Sequence, residues 1–122
     1  MSFNNLLAAR IRANLSNLAN LVEKKMFGGV GFLINGNMSC GVHKNDLIVR
    51  VGAAKYEEAL SRPHTRVFDM TGRPMAGWVM VEPEGCAKDS DLKAWVEQGL
   101  AFARRKRGSI TMPPAAVNVL FL

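Results

Sequence analysis

Met26-Phe27-Gly28-Gly29-Val30-Gly31-Phe32-Leu33-Ile34-Asn35-Gly36-Asn37-Met38 is the stretch on which the architecture turns. Val30, Phe32 and Ile34 alternate with Gly31 and Leu33, which is the period of a strand. Asn35-Gly36 follows as a tight-hairpin signal, because both residues tolerate positive φ. Met38, Cys40 and Val42 alternate on the return. A Lys44-Asn45-Asp46 turn then leads to Leu47, Val49 and Val51, interleaved with Ile48 and Arg50. The pattern predicts an antiparallel meander of three strands.

Working outward, residues 3–24 carry Leu7, Ile11, Leu15, Leu18 and Val22 at intervals of three and four. That stripe predicts one amphipathic helix. Ser2 or Asn4 is placed to cap its start, and Lys24 and Lys25 suit the negative end of its dipole. Gly28 and Gly29 end the pattern. Downstream, Gly52 breaks the third strand, and a short helix over 53–61 runs until Pro63 stops it. A fourth strand is expected from about Thr65 to Met70. The Thr71-Gly72-Arg73-Pro74 turn leads into a fifth, from Gly77 to Glu82. A last helix runs from about Ser90 to Arg107, with Leu92, Trp95, Val96, Leu100 and Ala103 as its apolar stripe.

The order is helix, three strands, helix, two strands, helix. Runs of strands separated by helices indicate an α+β fold, an antiparallel five-stranded sheet with helices packed on one face. One side of the first three strands reads as apolar: Val30, Phe32, Ile34, Met38, Cys40, Val42, Leu47, Val49 and Val51. The other side is mixed: Gly31, Leu33, Ser39, Gly41, His43, Ile48 and Arg50. A mixed, glycine-rich face suits a second layer, and in so short a chain another subunit is a natural source of it.

With 122 residues the chain is long enough for one domain with its own core, so no metal or disulfide is required. No apolar run approaches the ~20 residues that cross a bilayer. Arg10 and Arg12 interrupt the stretch a signal peptide would need. A cytoplasmic protein away from membranes is expected. Two cysteines, Cys40 and Cys86, make no disulfide framework and read as free thiols. The net charge is +6, and four of the basic residues are consecutive at Arg104, Arg105, Lys106 and Arg107. The excess is therefore local.

Reactive chemistry is hard to assemble from this sequence. Cys40 and His43 stand three apart on a strand, which turns their side chains to opposite faces and not into a thiol–imidazole pair. No paired metal-ligand spacing unites Cys40, Cys86, His43 and His64. Gly28, Gly29 and Gly31 precede a strand, whereas a phosphate loop follows one and opens a helix. Arg73, between Gly72 and Pro74, has two readings: contact with an anion or partner carboxylate, or a local pair with Asp69. The Arg104–Arg107 run suits phosphate contacts, and equally suits the negative end of a helix. It lacks the interleaved aromatics that single-strand binding favours. No catalytic residue, cofactor or metal is predicted.

The Met26–Met38 block, the Thr71-Gly72-Arg73-Pro74-Met75-Ala76-Gly77-Trp78 block and the Asp91-Leu92-Lys93-Ala94-Trp95-Val96 helix occur in order with similar spacing. Together, over about residues 22–106, they resemble the TfoX N-terminal domain family. The resemblance implies a fold similar to the secretion-chaperone-like α+β fold, and a homodimer. It also implies a regulatory role through protein contacts: the name-giving proteins regulate natural competence by helping a transcription activator. Those proteins carry a second, C-terminal domain, which this chain is expected to lack. No catalytic residue comes with the resemblance. Residues 1–108 are read as the domain. Residues 109–122, with Pro113-Pro114 and an alternating Val117, Val119 and Phe121, are read as a C-terminal extension outside the family pattern. The partner protein is unnamed by this reading, and a nucleic-acid role through the basic helix end is its alternative.

Overall fold

The computed structural model describes residues 4–26, 28–69, 72 and 74–105. The segment assigned above to a C-terminal extension, 109–122, lies outside them.

Helix α1 spans Asn5–Asn14 and buries Leu7, Ala8 and Ile11. Asn4 caps it: the Asn4 carbonyl oxygen Oδ1 accepts from the Leu7 N–H at 3.0 Å, a bond worth about 1 kcal/mol. The predicted helix over 3–24 is corrected here, because the chain leaves the helical path after Asn14. Asn14, Ser16, Asn17 and Asn20 fall within seven residues, and such side chains compete for backbone groups. Asn14 donates to the Arg10 carbonyl and Ser16 to the Ala13 carbonyl. Asn20 takes a φ of 64°, which no helix accommodates. The chain then extends as strand β1, Leu21–Met26. Leu15 is still buried, but Val22, the last member of the expected stripe, is 53% exposed. Lys24 and Lys25 sit on an edge strand, not on a helix end.

Strand β2 (Gly29–Ile34) pairs with β1 on one side and with β3 (Asn37–His43) on the other. Asn35 and Gly36, with φ of 52° and 84°, make the expected hairpin. Strand β4 (Asp46–Arg50) completes the meander. A 3-10 turn (Ala53–Lys55) and α2 (Tyr56–Leu60) follow, then β5 (Thr65–Val67), β6 (Trp78–Val81), a second 3-10 turn (Pro83–Gly85) and α3 (Asp89–Arg105). The sheet is antiparallel and six-stranded, in the order β1-β2-β3-β4-β6-β5. The α+β class stands. The strand count rises from five to six because β1 was hidden under a helical periodicity.

All three helices feed one core. Leu7 and Ile11 of α1, Ala59 of α2 and Leu92, Trp95 and Val96 of α3 pack with Val30, Phe32, Cys40, Val42, Leu47, Val49, Val79 and Val81 of the sheet. Arg62 lays its guanidinium over Trp95, 3.8 Å from the ring centroid.

The opposite face holds a second cluster: Met38, Ile48, Phe68, Trp78 and Met80, with Leu33 and Met75 packed on it. Met38 was expected beside Cys40 on the helix side. A β-bulge reverses it: Phe32 faces Cys40 but Leu33 faces Met38, so Ser39 is the extra residue. The Ser39 hydroxyl donates to the Phe32 carbonyl at 3.0 Å. Over β4 and β6 this face is covered by Phe68 and Met75 of the same chain, where a second subunit had been expected to supply the layer.

Candidate functional site

Cys40 is fully buried among the helix-side residues, and burial pushes its thiol up to about 12. Cys86 is likewise buried with its thiol raised, first by desolvation. Neither is an available nucleophile, since reactivity belongs to the thiolate. His43 lies on the other side of β3, half-buried, and desolvation lowers its imidazole below the usual range. The opposed faces expected for Cys40 and His43 are what the strand shows.

His64 is exposed at the entrance to β5, with a φ of 61°. Because Thr65 pairs with Val81, His64 comes up beside Glu82. Ligand atoms of His64, Glu82 and Glu84 lie within 4.8 Å of one another. This grouping crosses two strands and was not legible from spacing along the chain. Its signal is the Glu-x-Glu after β6, readable only once β5 is known to lie beside it. Glu82 already faces Arg66, 3.4 Å away.

Of the predicted anion contacts, Arg104 is an exposed residue of α3. Arg105 ends that helix, and its side chain lies outside the described residues, as do Arg73, Lys106 and Arg107. A shallow groove of about 490 Å³ between α1 and α3 is lined by Arg10, Ala13, Asn14, Asp89, Ser90 and Lys93. Two of its charges already engage each other: one Arg10 guanidinium nitrogen, Nη2, donates to Asp89 and also to the carbonyls of Cys86 and Ala87.

The unusual polar side chain belongs to Arg50, expected on the mixed face of the sheet. Arg50, at the end of β4, is only 6% exposed. Its guanidinium carbon lies 5.3 Å from the Trp78 ring centroid and 4.8 Å from that of Phe102. Trp78 is its cross-strand partner, and Phe102 reaches it from α3 over Gly52. Desolvation lowers its affinity for the proton, yet a guanidinium starts so basic that the group stays charged. Arg50 Nη1 is buried with no hydrogen-bond partner among the described residues.

A family model for the TfoX N-terminal domain matches residues 13–103. The chain belongs to this family. The TfoX N-terminal match opens in the last turns of α1 and closes on α3, so it takes in every strand of the sheet. Arg50, Trp78 and Phe102 lie inside the TfoX N-terminal region, whereas Arg104 and the rest of the basic run fall beyond its limit. Comparison with curated proteins and with solved structures gave no match. Among the described residues, no helix is long and apolar enough to cross a membrane.

Proposed function

We propose that this chain is a small, cytoplasmic, non-enzymatic regulatory module that works through protein contacts as a homodimer. Membership of the TfoX N-terminal domain family supports a regulatory, competence-related role. The fold is read, on the family resemblance, as the secretion-chaperone-like type.

The observation that carries the protein-contact reading is β1. It is an edge strand of six residues, and a large apolar side chain, Val22, stands out from it into solvent. An edge offers a row of backbone donors and acceptors to an incoming strand. Two copies meeting along β1 would join their sheets about a two-fold axis and cover Val22 on both.

Sedimentation velocity on the full chain tests this. A dimer is expected, shifting to monomer in Val22→Asp with an unchanged circular dichroism spectrum. A monomer at every concentration overturns the homodimer. Salt-sensitive binding of random DNA or RNA that disappears in Arg104→Glu would replace this reading with the nucleic-acid one.

A further inference from the structure

Arg50 presents an imbalance that the described residues do not resolve. Its side chain is nine-tenths buried, and a guanidinium cannot shed its charge as a lysine can. The ion pairs among the described residues use Arg10, Arg12, Lys55 and Arg66, and none includes Arg50. Trp78 and Phe102 lie against the group and offer it only their rings. Stacking of this kind satisfies the faces of a guanidinium. Its five N–H bonds lie in its plane and still need acceptors, and Nη1 has none. A long apolar side chain would fill the same space without that penalty. The charge therefore has a use beyond packing.

We propose that Arg50 anchors a binding site for a small organic carboxylate. The planar fork of a guanidinium matches a carboxylate in bidentate geometry. One fixed positive charge balances one negative charge. The two rings beside it suit a carbon skeleton, whereas a phosphate dianion asks for further donors. Phe102 belongs to the last turn of α3, and Trp78 follows the 68–77 segment. A ligand seated between them would tie the end of that helix to the start of β6. This inference is independent of whether the protein dimerises.

The test is thermal unfolding of the full chain at constant ionic strength, with chloride replaced stepwise by acetate, hexanoate, benzoate or inorganic phosphate. The carboxylates are expected to raise Tm in a saturable way, hexanoate and benzoate at lower concentration than acetate because of the aromatic walls. Phosphate is expected to give no saturable rise, only the gradual one of an excluded salt, unchanged in Arg50→Met. Arg50→Met removes the response. Arg50→Lys keeps the charge but loses the fork, and is expected to need at least about tenfold more carboxylate; it serves alone if the methionine variant does not fold. No rise in the native chain overturns the proposal. So does a rise of equal size in Arg50→Lys, or a response to phosphate that matches the carboxylates.

Discussion

Cys40 and His43 occupy the same strand three residues apart, and their surroundings set each one's chemistry. With its thiol pushed up to about 12, Cys40 is thiolate to only about one part in ten thousand at pH 8. Ellman's reagent at that pH is expected to leave it unmodified in the folded chain and to label it only on unfolding. A native-state burst from Cys40 would contradict the burial. For His43 the folded imidazole binds its proton less well than the unfolded one, chiefly through desolvation, with Lys44 and Arg66 acting in the same direction and Asp46 against. The unfolded state therefore holds more protons below the ordinary value of 6.5. Stability is unaffected by this group above about pH 6.5 and declines as pH falls toward the lower folded value. His43→Gln is expected to flatten the urea midpoint between about pH 6.5 and 5, where few carboxylates titrate.

At the scale of elements, α3 and the β-bulge depend on each other. A Cβ at Gly99 would run into the carbonyl oxygen of Ser39, the extra residue of the bulge. Helix α3 thus reaches β3 only because position 99 has no side chain. Gly99→Ala gains roughly 1 kcal/mol of helix propensity on paper, but the clash with backbone is expected to exceed it. A net loss of about 2 kcal/mol or more, measured by urea unfolding, is expected; a gain in stability would mean that the helix can lift without cost. Asn4→Ala is a milder change at the other helix, expected to cost about 1 kcal/mol through loss of the cap. The same scale explains β1. Leu18 and Val22 fit the helical stripe by spacing, yet the asparagines before them end the helix, and pairing with β2 decides the rest. Periodicity across a loop was coincidence.

Over the whole molecule, the two terminal helices are joined by Arg10. Its guanidinium holds the carbonyls of Cys86 and Ala87 and the carboxylate of Asp89, where α3 begins. Asp89 is almost wholly exposed, so its ion pair contributes little. The carbonyl bonds are the larger part. Arg10→Ala is expected to cost about 1–2 kcal/mol, and Asp89→Asn well under 1 kcal/mol, both read from chemical denaturation. Comparable losses in the two variants would mean that the ion pair dominates.

What the chain alone determined is whatever depends on neighbours within a few residues. Alternating aliphatic residues, Asn35-Gly36 and the Leu92, Trp95, Val96 stripe placed the meander, its hairpin and the last helix, and the three blocks in order identified the TfoX N-terminal family. Tertiary structure decided what depends on residues far apart in sequence: the sixth strand, the reversal of Met38 at a bulge, the His64, Glu82 and Glu84 group, and the enclosure of Arg50 by Trp78 and Phe102. The physical reason is that hydrogen-bond register and burial are properties of pairs of segments. An arginine at the end of an alternating strand reads only as a member of the mixed face until the residues from β6 and α3 that close over it are known.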